Sequence, residues 1–218
     1  MSLTLYYAPP SPPSRTVLLT LMNLGLDYES KLINTMASEH KTEEFLQLNP
    51  QGTIPVVVHD DFVMNESRAI CAYLVNALAP NHSLYPEDPK LRFIIDQRMF
   101  YDASSFTASL YTALTPIMRK GQTVIQPEHK DKIISCLQTL EGFLEGFEWF
   151  STTENPCIAD LSILASFSTI YHAGLDIADF PNIAAWYERC SSLAGFEENE
   201  KGAKMFGLML KNKLTEPF

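Results

Sequence analysis

The sequence is short of positive charge and of long apolar runs, and each shortage excludes a class of protein. Its 218 residues carry 16 Lys and Arg against 26 Asp and Glu, a net charge of −10 at pH 7. An acidic chain without a basic stripe repels phosphate groups, which argues against binding to nucleic acids or anionic membranes. No stretch approaches the roughly 18 apolar residues of a membrane span. The first residues also lack a positively charged segment followed by an apolar one, so we expect no secretory signal.

The sequence also lacks paired cysteines. Its four cysteines are widely spaced: Cys71, Cys136, Cys157 and Cys190. None forms a Cys-x-x-Cys pair or a zinc-ligand set with histidine, so we predict no metal site. Isolated thiols are typical of buried cysteines in a reducing compartment, which favours a cytoplasmic protein.

The chain has the composition of an ordinary globular protein, with 46% hydrophobic and 19% charged residues, and its length allows one or two domains. The first part alternates strand and helix signals in the order βαβ, helix, ββ, helix, which is typical of an α/β domain. The later segments with helical period are 89–118, 128–148, 159–173, 181–194 and about 200–213. The sequence therefore predicts an α/β domain over residues 1–80 and an all-α domain over residues 88–218.

A serine followed by prolines separates the first predicted strand, Leu3–Tyr7, from the first predicted helix. Ser11 stands before Pro12 and Pro13, and helix capping alone explains such a pattern. A helix N-terminus also carries unpaired N–H groups and a partial positive charge, so a thiolate bound there would have its pKa lowered from about 8.5 towards neutrality. No histidine and aspartate form an evident relay with Ser11, which argues against an acyl-transfer triad.

Two further segments have the features of a peptide-binding site. Pro55 follows Ile54 at the start of a predicted strand. A trans bond is the ordinary case there, whereas a cis bond would leave the Ile54 backbone free to pair with an extended peptide. Glu66 and Ser67 precede a predicted helix, where they either cap the helix or bind the α-amino and α-carboxyl groups of a peptide.

Together these motifs resemble those of a known family. The segments that carry the resemblance are Ser11-Pro12-Pro13, Asn49-Pro50-Gln51-Gly52-Thr53-Ile54-Pro55, Glu66-Ser67-Arg68-Ala69-Ile70, Leu84-Tyr85-Pro86 and Ile158-Ala159-Asp160. Their order and spacing, over essentially the whole chain, are similar to those of cytosolic glutathione S-transferases of the insect-type delta/epsilon class. The resemblance implies a thioredoxin-like domain that binds glutathione, an all-α domain that shapes a pocket for a hydrophobic electrophile, and a cytoplasmic homodimer.

The resemblance also implies roles for single residues. Ser11 would donate a hydrogen bond to the glutathione thiolate. The backbone of Ile54, followed by a cis Pro55, would hold the cysteinyl part of glutathione. The γ-glutamyl end would lie at Glu66, Ser67 and Arg68.

The sequence departs from the family pattern at the glycyl end of glutathione. The family usually has a histidine after Asn-Pro-Gln, where this chain has Gly52. Loss of that contact costs about 1 kcal/mol or more of affinity if nothing replaces it. His40, Gln51 or a bound water would be the substitute, and a solvated loop histidine is the alternative for His40.

The hydrophobic electrophile would contact the first long helix of the second part. The residues with helical spacing there are Phe106, Leu110, Tyr111 and Leu114. They are either plain core or, by the resemblance, the wall of a cleft beside Ser11, with Tyr111 donating to a leaving group. A flexible wall from the C-terminal part would consist of Met205, Phe206 and Met209. Asp102 would be either an exposed carboxylate or a residue that faces the partner's glutathione.

These features favour an enzyme in which the thiolate of bound glutathione attacks hydrophobic electrophiles. Conjugation in detoxification and peroxide reduction both use such a thiolate. The alternative is a glutathione-dependent ligand-binding protein with little catalytic activity, which Gly52 and the apolar cleft motivate. A thiol–disulfide oxidoreductase ranks lower, because neither Ser11 nor Ser14 is a cysteine.

Overall fold

The computed structural model describes residues 2–218. Its first part contains the strands β1 (Leu3–Tyr7), β2 (Glu29–Leu32), β3 (Val56–His59) and β4 (Phe62–Met64). They form one sheet in the order β2-β1-β3-β4, in which β1 is parallel to β2 and antiparallel to β3, and β3 is antiparallel to β4. Leu5 lies opposite Ser30 on one side and Val57 on the other. The alternation predicted from the sequence is confirmed.

Three helices accompany this sheet: α1 (Pro12–Asn23), α2 (Glu43–Leu48) and α3 (Ser67–Leu78). The two prolines at the start of α1 suit the first helical turn, since their missing N–H groups have no partner there. The helix ends before Gly25, whose positive φ of 62° is the left-handed conformation expected after a helix. α1 and α3 pack against each other and bury the apolar residues of the α/β part.

The remainder of the described chain is helical. Its helices are α4 (Pro89–Tyr101), α5 (Thr107–Arg119), α6 (Pro127–Phe143), α7 (Ile158–Ala173), α8 (Pro181–Arg189) and α9 (Phe196–Lys211). A π-helical turn over Asp102–Phe106 joins α4 to α5, so the single helix predicted over 89–118 is interrupted. The segments predicted over 128–148 and 181–194 end earlier, at Phe143 and Arg189. Within residues 2–218 no helix has both the length and the apolarity to cross a bilayer.

The helical part is built around α7, which is buried along almost its whole length. Asp160 in its first turn is fully buried and accepts hydrogen bonds from the N–H of Phe150 (3.0 Å), the N–H of Cys157 (2.8 Å) and Nε1 of Trp186 (2.9 Å). Burial raises the pKa of Asp160, and these donors oppose that shift. The carboxylate therefore fixes the start of α7, where Cys157 is a poor cap.

Arg15 of α1 connects the two parts of the chain. Its guanidinium is fully buried and donates to Oδ1 of Asn199 on α9 (2.6 Å), and to Ser168 (3.1 Å) and Thr169 on α7. Burial lowers the pKa of Arg15 to about 9, so the group is still charged at neutral pH. Since Arg15 lies one turn after Ser11, this cluster fixes the N-terminal half of α1 against the helical part.

Candidate active site

Ser11 is the N-cap of α1 and is half-buried. Its Oγ accepts a long hydrogen bond of 3.4 Å from the N–H of Ser14, and its own N–H donates to the carbonyl of Ala8 at 3.0 Å. Within residues 2–218 the Ser11 hydroxyl has no acceptor for its proton.

The two prolines change the chemistry expected of this helix end. Pro12 and Pro13 lack N–H groups, and the N–H of Ser14 is directed at Ser11, so the helix offers an anion fewer backbone donors than expected from the sequence. The first turn contains no acidic residue, which leaves the partial positive charge of the helix end unopposed. The Ser11 hydroxyl is thus the main donor that an anion at this helix end would meet.

The loop before β3 is held by Asn49, a residue that the sequence analysis did not single out. Asn49 is fully buried. It donates to the carbonyl of Thr53 (2.9 Å) and accepts from the N–H of Gln51 (3.1 Å) and from Nδ2 of Asn65 (2.9 Å). The same side chain therefore shapes the loop that ends at Ile54 and links it to the residue before Glu66.

The bond between Ile54 and Pro55 is cis, as the resemblance implied. Ile54 is half-buried and Pro55 is buried. Within the described part of the chain, the N–H and C=O of Ile54 form no hydrogen bond with another protein group. A ligand with an extended backbone can pair with them.

The start of α3 combines an acceptor with free donors. Glu66 has φ +67° and ψ 95°, a strained conformation for a residue other than glycine that is typical of functional sites. Its side chain is exposed, and α3 has no side-chain cap. The carboxylate of Glu66 can accept from an ammonium group while the first N–H groups of α3, which begins at the buried Ser67, donate to a carboxylate.

Arg68 is engaged by a buried carboxylate of the helical part. Its Nε and Nη2 donate to Oδ2 of Asp102 at 3.0 and 2.7 Å, and Nη2 also donates to Thr107 at 2.8 Å. Thr107 and Ser162 donate to the same carboxylate at 2.9 and 2.5 Å. Asp102 is fully buried, so both expectations for it were wrong. The π-helical turn and the guanidinium of Arg68 explain why a charge is accommodated there.

The resemblance implies that the glycyl end of the ligand would lie at the loop around His40. His40 is half-buried, Lys41 is exposed, and Lys41 Nζ donates to the carbonyl of Gln51 at 3.2 Å. Gln51 itself is exposed, and its Oε1 accepts from Thr53 at 3.4 Å. The structure thus brings His40 and Gln51 into one loop cluster, together with a lysine that the sequence analysis did not consider.

Of the residues predicted to contact the electrophile, some lie in the core and one lies at the surface. Phe106 is fully buried, and Leu110 and Leu114 are each only 6% exposed, so all three belong to the core and Phe106 has no surface for a ligand. Tyr111, in contrast, is 57% exposed. Desolvation raises the pKa of Tyr111, and the charges of Arg68 and Arg119 oppose that shift.

The residues expected to form a C-terminal wall lie on α9. Phe206 is half-buried, and Met205 is 52% exposed. One turn earlier, an ideal Cβ on Gly202 would lie 2.1 Å from the carbonyl oxygen of Pro9, two residues before Ser11. α9 therefore runs beside the loop that carries Ser11. Residues 2–218 contain no cluster of three His, Cys, Asp or Glu side chains that would hold a metal ion.

Comparison with known proteins identifies relatives over the whole chain. The sequence profile described as "Glutathione S-transferase, N-terminal domain" matches residues 1–76. Glutathione S-transferase D7 of Anopheles gambiae is 34% identical over 220 residues, which covers 99% of this chain and 100% of that protein.

Solved structures agree with this similarity. The structure of a delta-class glutathione transferase from Nilaparvata lugens superimposes with a TM-score of 0.92 at 39% identity, over 97% of this chain and 99% of that one. A glutathione transferase homologue from Drosophila mojavensis, solved with bound glutathione, gives a TM-score of 0.93 at 33% identity over 98% of both chains.

Proposed function

Since this chain belongs to the glutathione S-transferase family, we propose that it binds glutathione along Ser11, Ile54 and Glu66 and uses Ser11 to keep the thiol ionised. The thiolate sulfur attacks the electrophilic carbon of an apolar substrate, the new S–C bond forms, and the leaving group departs with its electron pair. The thiol proton passes to solvent before the attack. The protein lowers the barrier by stabilising the thiolate and by holding the two reactants together.

The observation that carries this proposal is the position of the Ser11 hydroxyl. It lies at the positive end of α1, its proton has no acceptor among the described residues, and the two prolines after it remove competing backbone donors. Stabilisation of a thiolate at this point depends on one hydroxyl group. A hydrogen bond to a charged group contributes about 1.5–3 kcal/mol, which corresponds to about one to two pKa units of the bound thiol.

The proposed ligand matches the groups that line the site. Ile54 offers the N–H and C=O that pair with the cysteinyl backbone. Glu66 accepts from the γ-glutamyl ammonium group, and Ser67 and the first N–H groups of α3 donate to the neighbouring carboxylate. Arg68, fixed by Asp102, positions the start of α3. Tyr111, Met205 and Phe206 would contact the electrophile.

The pH dependence of conjugation tests this function. The rate of glutathione conjugation to a chlorodinitrobenzene-type probe is measured across pH for the unaltered protein, for Ser11→Ala and for Ser14→Ala. Ser14 is the matched control, because it is a buried serine of the same helix turn whose Oγ accepts from Ala8 at 3.4 Å. We expect Ser11→Ala to lower turnover about ten- to a hundredfold and to move the midpoint of the profile upward.

Two results would contradict the proposal. An unchanged midpoint in Ser11→Ala would remove Ser11 from thiol ionisation. Absence of turnover in the unaltered protein, together with tight binding of an apolar dye, would favour the ligand-binding alternative. Loss of turnover in Ser14→Ala with its midpoint retained would indicate a packing defect instead of a change in chemistry.

We also propose that the protein is a cytoplasmic homodimer. Phe93 and Phe100 on α4 are 66% and 74% exposed, and Phe62 on β4 is 52% exposed. Phe93 and Phe100 are seven residues apart and so share one face of the helix. Exposed aromatic residues that share a surface are typical of protein interfaces, and a second copy of the chain is the partner we propose. The four buried free cysteines support a reducing compartment.

A further inference from the structure

The ammonium group of Lys41 occupies the space beside Gly52. Gly52 has a positive φ of 57°, and an ideal Cβ built on it would lie 2.8 Å from Lys41 Nζ and 2.9 Å from the carbonyl oxygen of His40. Lys41 is held there by its hydrogen bond to the carbonyl of Gln51. A side chain at position 52 would displace the Lys41 ammonium from its present place, and glycine leaves room for the lysine there.

His40 does not supply a positive charge at this place. Its Nδ1 is buried and without a hydrogen-bond partner among residues 2–218. Desolvation and the charges of Lys41 and Arg119 lower the pKa of His40 from its usual 6.5, so its imidazole is neutral at pH 7. The permanent cations around this loop are thus Lys41 and, from the end of α5, Arg119.

We propose that Lys41 is the specificity-determining residue that binds the glycyl carboxylate of glutathione. This inference depends on the proposed function. Glutathione carries an ammonium group beside one of its two carboxylates and none beside the other. Glu66 matches the end with the ammonium group. The opposite end carries an isolated negative charge, which a local cation such as the Lys41 ammonium would stabilise.

The order of the groups along the site supports this assignment. Ile54, which pairs with the central residue of the ligand, follows Gln51 by three residues, and Lys41 is bonded to Gln51. Asn49 binds both the Ile54 loop and Asn65, next to Glu66. Lys41 and the residue before Glu66 are therefore both bonded to the loop that leads to Ile54, and we expect the tripeptide to extend from the acidic residue to the basic one.

Comparing two ligands isolates the glycyl carboxylate. Calorimetric titrations with glutathione and with γ-glutamylcysteine, which lacks the glycyl residue, are done for the unaltered protein and for Lys41→Met. Because Lys41 is exposed, we expect Lys41→Met to fold normally and to raise the Kd for glutathione about three- to tenfold. The Kd for γ-glutamylcysteine remains unchanged. Added salt weakens glutathione binding less in Lys41→Met than in the unaltered protein.

Two further variants complete the experiment. Lys31→Met on β2 removes the same charge from a lysine whose contacts are Tyr6 and Glu29, and it should bind both ligands as the unaltered protein does. His40→Asn removes the imidazole and should leave the preference for glutathione largely intact. Selective loss of glutathione affinity in His40→Asn, with Lys41→Met unaffected, would overturn the assignment.

The remaining outcomes are also decisive. Equal weakening of both ligands in Lys41→Met would mean that the lysine only shapes the loop, which contradicts a contact with the glycyl carboxylate. Unchanged affinity for glutathione in Lys41→Met would overturn the assignment while leaving the proposed function in place. Failure of the unaltered protein to bind glutathione would contradict the proposed function itself.

Discussion

Gly202 of α9 lies against the loop that carries Ser11, and the structure leaves no room for a methyl group there. An ideal Cβ on Gly202 would lie 2.1 Å from the carbonyl oxygen of Pro9 and 2.7 Å from Cδ of Arg15, whereas ordinary contacts begin at 3.4 Å. Gly202→Ala therefore forces α9 and the Pro9 loop apart by about 1 Å, because the obstacle is backbone that cannot rotate away.

The size of the effect follows from two opposing contributions. Overpacking of a well-packed core costs about 1–3 kcal/mol, and a backbone obstacle belongs at the upper end. The better helix propensity of alanine offsets about 1 kcal/mol of this, which leaves a net loss of about 2 kcal/mol. For a chain of this length, that lowers the Tm by about 4–8 °C.

Gly142 of α6 provides the matched control, because it is also helical and an ideal Cβ there meets no atom within 4 Å. Gly142→Ala keeps only the propensity gain, so its Tm should rise by about 2–4 °C. Calorimetric or circular-dichroism melting compares the two variants. Gly202→Ala should also raise the KM for glutathione, since Pro9 precedes Ser11 by two residues. An upward Tm shift in both variants would refute the packing of α9 on this loop.

Two other features of the molecule give direct tests. In size-exclusion chromatography with light scattering, the double variant Phe93→Asp/Phe100→Asp should change the mass from twice 24.6 kDa to that of one chain. The control Phe147→Asp, at a phenylalanine after α6 that is 49% exposed, should leave the mass unchanged. A monomeric unaltered protein would contradict the dimer. Burial raises the pKa of Cys71 from 9.0 to about 12, and all four cysteines are buried. A thiol reagent at pH 8 should therefore label none of them before the protein unfolds. Rapid labelling would contradict the burial of the cysteines. Because an unfolded Cys71 thiol ionises from about pH 9 and the folded one only near 12, its contribution to the free energy of unfolding is full below pH 9 and is lost as the pH rises to 12.

Much of the secondary structure is predictable because short-range signals mark its ends. Leu3–Tyr7 is bounded by the proline run, and α1 ends before Gly25. The interruption at Asp102–Phe106 leaves no such mark, since one extra residue in a helical turn hardly alters the apolar period. Asp102 is buried because it pairs with Arg68 and accepts from Thr107 and Ser162, long-range contacts that helical spacing does not show.

Residues of the candidate site can be predicted where they stand at the ends of helices and strands. They cannot be predicted where their position depends on the path of a loop. Ser11, Ser67 and Pro55 stand at element ends that the sequence marks. Lys41 and Gly52 are eleven positions apart, and only the folded loop shows that one fills the space beside the other. Asn49 is a similar case, because an asparagine before a proline indicates a helix end and gives no sign of its buried bonds to Thr53 and Asn65.

The most direct test of the account is the pKa of the glutathione thiol when it is bound. Titration by the ultraviolet absorbance of the thiolate, in the unaltered protein and in Ser11→Ala, measures it without an electrophile. We expect the bound thiol to ionise at least one unit below the free value of about 8.5, and Ser11→Ala to return it by about one unit or more, or about 1.4 kcal/mol. Equal pKa values in the two proteins, or a bound thiol that titrates like a free one, would contradict the role of Ser11.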